Sequence, residues 1–255
     1  VDHNHWLTEE CAKAFWDQKE GRPYKQLVDE TIGLASPKPG ERWLDLGCGS
    51  GQLASTLWKQ GGPLSEVVCL DCAAINADPV TKLNDKHQAG GAIKFLAANF
   101  SDGLASFTPA SFDGVVSGLS ISYAEHFDTA TGRYTDRAFR QLLADVRRLL
   151  RPDGRFVFSI NVPNPRFWKV LWKSLGSGLR LRRPGRQLVT ALRMMRYGRW
   201  LCDEAKRGRF HYLPIDQLTA RLHEAGFESV EHRVTYADQA YVVRARPAAV
   251  QRMSA

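Results

Sequence analysis

The sequence predicts an α/β fold: a seven-stranded, mostly parallel sheet wrapped by helices, with a closing antiparallel hairpin and a helical insert. Three observations carry this. From residue 42 onward, short apolar runs alternate with helix-period patterns, as strands and their crossover helices do. A glycine-rich turn joins the first apolar run to the first helix, and the chain ends in two adjacent strand-like runs. A chain of 255 residues is long enough to bury one substantial core.

The elements follow in order. Arg42–Leu46 is an apolar strand, and Gly51–Lys59 reads as the helix after it. Glu66–Leu70 is a second, partly β-branched strand, and Pro79–His87 a second helix. Ile93–Ala97 and Phe112–Ser117 are the third and fourth strands. Phe139, Leu142, Leu143, Val146, Leu149 and Leu150 form a helix-period stripe over Arg137–Leu150. Pro152-Asp153-Gly154 is turn chemistry, and Arg155–Ile160 is the fifth strand. The alternation then breaks. Residues 161–208 form an insert with helices expected around Phe167–Leu175 and Gln187–Leu201. Regular structure resumes with a helix over Pro214–Ala225, where proline suits a first turn and Gly226 a C-terminal cap. Glu228–Tyr236 and Gln239–Ala245 form the final hairpin, so residues 1–255 read as one domain with an N-terminal helical segment over 1–40.

Composition narrows the classes. Hydrophobic residues are 44% and charged residues 24%, as in soluble globular proteins. There is no run of 18 apolar residues and no apolar core in Val1–Glu10, which predicts neither a membrane span nor a signal peptide. Five scattered cysteines predict a reducing, cytoplasmic setting rather than a disulfide framework. Cys69-x-x-Cys72 has no second pair or nearby histidine to complete a metal site, so no metal is expected. The net charge of +8 is uneven: residues 151–210 hold 15 Lys and Arg against 3 Asp and Glu, a net of +12, which leaves −4 for the rest.

The chemistry concentrates in Trp43-Leu44-Asp45-Leu46-Gly47-Cys48-Gly49-Ser50-Gly51. It is a strand ending beside an acidic residue, then a glycine loop, then a helix whose first N–H groups are free. Asp71 closes the next strand, 24 residues beyond Gly47. A nicotinamide or flavin cofactor calls for G-x-G-x-x-G with pyrophosphate at the helix start. This loop is G-x-G-x-G, position 52 is Gln, and Asp45 repels a pyrophosphate. S-adenosylmethionine carries an ammonium and a sulfonium and no phosphate, so the carboxylate attracts it.

This segment resembles motif I of the class I S-adenosylmethionine-dependent methyltransferases, a likeness that extends over residues 40–160 and 208–246 and implies their Rossmann-like sheet. By that resemblance, Asp45, Gly47, Cys48, Gly49 and Gly51 line the methionine and ribose of the cofactor. Asp71 accepts hydrogen bonds from the ribose hydroxyls, with Cys72 beside the adenine. Asn99-Phe100 match the adenine-holding position, where the family more often has Asp. Ser117 and Gly118 match the floor of the transfer site.

Methyl transfer is an in-line displacement that depends on alignment, and a base helps when the acceptor is a hydroxyl or an acidic carbon. Tyr123, His126 and His211 are the candidate catalytic residues, with Tyr212 beside them. Ser117-Gly118-Leu119-Ser120-Ile121 lacks the N/D-P-P-Y/F of amino-group methylases and resembles the small-molecule branch, including quinone and sterol methyltransferases. In the insert, Phe167, Trp168, Val170, Leu171, Trp172 and Leu175 mingle with Lys169 and Lys173, and Leu179-Arg180-Leu181-Arg182-Arg183 and Arg186 follow. That pattern suits a lid over an apolar pocket, an anionic membrane surface over 166–186, or both. Trp6, Phe15, Trp16 and Tyr24 precede the first strand at helix-like spacing, in a segment that packs on the core or folds over the cofactor. The reading is methyl transfer to oxygen or carbon of a small, apolar or lipid-like acceptor. The alternatives are a catalytically silent, S-adenosylmethionine-binding partner protein and an RNA methyltransferase using the basic insert.

Overall fold

The computed structural model describes residues 6, 21–166, 168–170, 173 and 196–248. Phe15, Trp16 and most of the two expected insert helices lie outside them. Helix α1 (Arg22–Ala35) precedes β1 (Arg42–Leu46), α2 (Gln52–Gly61), β2 (Glu66–Asp71), α3 (Ala77–Lys86), β3 (Ile93–Ala97) and β4 (Phe112–Gly118). A short hairpin, β5 (His126–Asp128) and β6 (Arg133–Thr135), leads to α4 (Arg137–Leu149) and β7 (Leu150–Asn161). After the insert come α5 (Ile215–Glu224), β8 (Phe227–Thr235) and β9 (Ala240–Pro247).

Seven strands form one sheet in the order β3-β2-β1-β4-β7-β9-β8. The first five run parallel, and β9 inserts antiparallel between β7 and β8. Alternation along each strand sends side chains to two apolar layers. Trp43, Val67, Val116, Val157 and Val242 pack under Leu27, Ile32, Leu53 and Leu57 of α1 and α2. Leu44, Val68, Val115, Phe156 and Val243 face Phe139, Leu142 and Val146 of α4 and Leu218 and Leu222 of α5. By the same alternation, Asp45, Asp71, Gly118 and Asn161 share the α1–α2 face, at the carboxyl ends of their strands.

Two expectations are corrected and one element is added. The turn Pro152-Asp153-Gly154 does not separate helix from strand: β7 already begins at Leu150, and residues 151–154 bulge opposite Asp113 between the pairs Phe112↔Leu150 and Gly114↔Arg155. Arg151 pairs with Asp113 there, so the turn residues are held in the ladder. Pro214 is the N-cap of α5 with ψ of 151°, one residue outside the helix rather than in its first turn. The β5–β6 hairpin has no counterpart in the sequence reading, because three-residue strands carry too little periodicity to register.

Of the insert, residues 168–170 and 173 are helical, and 196–206 form a helix whose Leu201 packs with Phe210 and Tyr212. Val170 packs on the α1–α2 layer, Trp168 is 48% exposed, and Lys173 pairs with Asp238 at 3.6 Å. Among the described residues, no helix is long and apolar enough to cross a membrane, and no group of three metal-binding side chains assembles.

Candidate cofactor and acceptor site

The glycine loop sits where β1 hands over to α2. Gly47 and Cys48 donate N–H bonds to Leu70 of β2 at 2.8 and 3.1 Å, which ties the loop to the neighbouring strand. Gly47 has φ of +68°, and a Cβ there would lie 2.4 Å from that of Ser120, whose hydroxyl donates to the Gly47 carbonyl at 3.0 Å. Only glycine fits both demands. Gly49 differs: nothing lies within 4 Å of a Cβ built on it, so the loop is open on that side, as a cradle for a ligand must be.

Two carboxylates frame the loop. Asp45 is 1% exposed. Its Oδ2 accepts from the Ala54 N–H of α2 at 3.2 Å, while Oδ1 has no partner among the described residues. Burial pushes its carboxyl up to about 7, the Ala54 bond opposes this, and nearby Asp71 adds to it. Asp71 accepts from Gly49 at 2.9 Å through Oδ2 and from Ala73 at 2.9 Å through Oδ1. Burial raises its carboxyl too, against the pull of those N–H groups. The Asn76 side chain donates to it as well, so of the roughly four acceptor positions of the carboxylate about one is left for a hydroxyl. An ammonium or sulfonium near Asp45 meets an unmatched buried oxygen, and a ribose hydroxyl meets Asp71, so these residues fit S-adenosylmethionine.

The remaining predicted positions divide. Cys48 is buried and its thiol donates to the Gly49 carbonyl at 3.4 Å. Burial, then Asp71, pushes the Cys72 thiol up to about 12, so it stays protonated. Asn99 accepts from Ser101 at 3.0 Å and caps a short turn that begins with Phe100, whose ring edge borders Gly47. Ser117 is fully buried, and its hydroxyl donates to the Leu46 carbonyl at 2.7 Å. It staples β4 to β1 on the face away from the loop and presents no free atom.

Of the candidate bases, two are committed elsewhere. His211 is 6% exposed, bonds the Ala124 carbonyl through Nε2 at 2.9 Å and stacks on Phe139 at 4.8 Å. Burial holds its imidazole below the usual range, so it is neutral and its role is to anchor the chain after the insert. His126 bonds Thr135 across the β5–β6 hairpin at 2.9 Å and serves that hairpin. Tyr123 does enter a cluster. Its hydroxyl lies 3.0 Å from that of Tyr212 and accepts from Asn161 Nδ2 at 3.4 Å, and the Trp6 and Phe210 rings pack on it at 4.4 and 4.9 Å. Burial pushes its hydroxyl up to about 12 against the pull of the Tyr212 and Asn161 bonds, so it is protonated near neutral pH.

Sequence reasoning missed Asn161, Tyr236 and Ser120. Burial raises Tyr24 and Tyr236 as well; Tyr24 feels Asp45, and Tyr236 feels Tyr24 and Tyr123. A run of buried phenols thus links the glycine loop to the Tyr123 cluster. Tyr236, Ala237 and Asp238 are all left-handed, with φ of 55°, 59° and 64°, a costly turn that seats Tyr236 in this run. The available signal was Asn161 itself, a polar residue closing the apolar run of β7.

Residues 15–232 match the family described as a methyltransferase domain. The chain belongs to that family, and to its class I, S-adenosylmethionine-dependent division. It is 28% identical over 143 residues to nocamycin O-methyltransferase of Saccharothrix syringae, covering 56% of this chain and 45% of that protein. It is 32% identical over 127 residues to the ubiquinone/menaquinone biosynthesis C-methyltransferase of Bordetella avium, covering 50% of this chain and 43% of that one. The chain thus spans somewhat under half the length of these two relatives. A Burkholderia thailandensis 1,6-didemethyltoxoflavin-N1-methyltransferase with bound S-adenosylhomocysteine shares the fold, with TM-score 0.56, 20% identity, and 92% of this chain and 80% of that one covered.

Proposed function

We propose that this methyltransferase-family protein moves a methyl group from S-adenosylmethionine to oxygen or carbon of a small, apolar or lipid-like acceptor. The observation that carries the reading is the pairing of an open glycine loop with the unmatched, buried Oδ1 of Asp45. When bound, S-adenosylmethionine supplies an electrophilic methyl whose departure returns an electron pair to sulfur. The chain's own residues bind and orient. Asp45 offsets positive charge, Asp71 holds the ribose, and the aromatic walls around Tyr123 keep water from the acceptor.

The acceptor class is supported by relatives named for O- and C-methylation and by the apolar character of the cluster at the strand ends. Exposed Trp168 beside Lys169, with Val170 turned inward, supports a lid that also touches an anionic membrane surface. The test is incubation with methyl-labelled S-adenosylmethionine and a mixture of quinols, lipid extract and RNA. Label in the organic-soluble fraction is expected. Label confined to RNA, or tight cofactor binding with no label anywhere, contradicts it and favours an RNA methyltransferase or a silent cofactor-binding partner.

A further inference from the structure

Asn161 closes β7 at the carboxyl end of the sheet and is 2% exposed. Its Nδ2 donates to the Tyr123 hydroxyl, while its Oδ1 is buried with no partner among the described residues. Buried amide oxygens are rarely left so, because removal from water without a replacement bond is costly. The two tyrosines add a second unmet group. One hydroxyl donates to the other, 3.0 Å away, and whichever donates, the other keeps a hydrogen with no bond among those described. The trio therefore offers one acceptor, Asn161 Oδ1, and one donor, a tyrosine O–H, in one apolar setting. Trp6 and Phe210 pack against Tyr123, and Trp200 packs against Phe210.

We propose that Asn161, Tyr123 and Tyr212 are the acceptor-recognition residues, and that they bind a phenolic or enolic hydroxyl carried on a flat apolar ring. Such a group donates to Asn161 Oδ1 and accepts from the tyrosine, matching both unmet atoms at once. A carbonyl matches only the donor, an ether cannot satisfy Asn161, and a charged headgroup finds no counter-ion in the trio. The flanking aromatic rings give a flat partner stacking surface. This deepens the methyl-transfer reading and rests on it for the identity of the bound molecule as acceptor. It replaces the role of Tyr123 as a base with a positioning one.

The test uses 1-naphthol and its methyl ether, 1-methoxynaphthalene, as probes, titrated by tryptophan fluorescence with and without S-adenosylhomocysteine. The wild-type protein is expected to prefer the naphthol by about tenfold or more, as for one buried hydrogen bond gained and one orphan relieved. Asn161→Leu erases the preference, Asn161→Asp retains it by keeping an oxygen acceptor, and Tyr212→Phe narrows it. Thermal melts report the folding of each variant. Equal affinity for the two probes, no binding of either, or a preference that survives Asn161→Leu overturns the proposal. Calorimetric titration with S-adenosylhomocysteine alone reads the glycine loop separately. If that fails while the naphthol preference stands and depends on Asn161, the methyl-transfer reading falls and the hydroxyl site remains.

Discussion

The two ends of the sheet treat polar groups in opposite ways. At the amino ends a set of charges is tightly paired. Arg155, only 8% exposed, donates to the Ala35 and Ser36 carbonyls and to Glu41, and lies 4.7 Å over the Trp43 ring. Arg42 bonds Glu66 at 2.6 Å, and Lys94 bonds the other oxygen of Glu66 at 2.6 Å. Although burial raises the Glu66 carboxyl, Lys94 and Arg42 together pull it below its usual range. At the carboxyl ends, Asp45 Oδ1, Ser122 Oγ, Asn161 Oδ1 and Thr235 Oγ1 are buried without a partner among the described residues, and the Asp45 and Asp71 carboxyls are raised. The same sheet is closed off at one end and chemically unfinished at the other. Polar groups at the first end hold α1 and the strands together; at the second, several keep hydrogen-bonding capacity that no described residue uses.

The contrast makes distinct demands on variants. Arg155→Ala leaves two carbonyls unmet and Glu41 with only its bonds from the Lys38 N–H and Trp43 Nε1, and is expected to cost about 3–5 kcal/mol of stability, read by chemical denaturation. Its cofactor affinity, measured where it is still folded, stays at the wild-type value; a loss of binding without a loss of stability breaks the division. Gly47→Ala forces a side chain against Ser120 at positive φ and costs about 2–4 kcal/mol, shared between fold and cofactor affinity. Wild-type binding by that variant removes the loop from the account.

Asp45 sharpens the comparison through pH. Its folded pKa of about 7 lies above the ordinary value of about 3.9, so the folded state holds the proton more tightly. Stability is therefore greatest at low pH and falls as pH rises from about 4 through about 7 on account of this group. A cationic ligand draws the carboxyl back down and releases the proton. Cofactor affinity is expected to climb by up to about tenfold per pH unit below 7 and level off above it. In Asp45→Asn both dependences flatten; calorimetry in buffers of different ionisation enthalpy checks the proton release. The smallest effect belongs to His126→Ala, which loosens the β5–β6 hairpin by about 0.5 kcal/mol or less and leaves turnover intact. A large fall in kcat there would return His126 to the chemistry.

Strands β1–β4 and β7, helices α2–α4 and the final hairpin could be read from the sequence, because buried parallel strands and amphipathic helices leave strong periodic marks. Arg42–Leu46 and Ile93–Ala97 were placed to the residue. The β7 bulge was not, since Pro152-Asp153-Gly154 has the composition of a turn whether or not the flanking ladder continues through it. Asp45, the glycines and Asp71 could be singled out from the sequence because they are contiguous or at fixed spacing, and the structure gathers them around one loop. The proposed acceptor cluster was readable only in Tyr123 and Tyr212, not in Asn161 or Tyr236. Tyr123, Asn161, Tyr212 and Tyr236 come from four separate segments and meet only through the sheet order, so no local pattern joins them. His211 and Ser117 show the converse: the sequence marks them as polar residues near the site, and the structure adds that each bonds a backbone carbonyl.

The central claim is that the glycine loop and the β2 tip bind S-adenosylmethionine. Calorimetric titration of S-adenosylmethionine and S-adenosylhomocysteine into the wild-type protein and Asp71→Ala tests it most directly. The account predicts micromolar binding to wild type that weakens by about 1.5–3 kcal/mol in the variant, as for lost hydrogen bonds to a charged group. No binding to the wild-type protein, or equal binding to both, contradicts it.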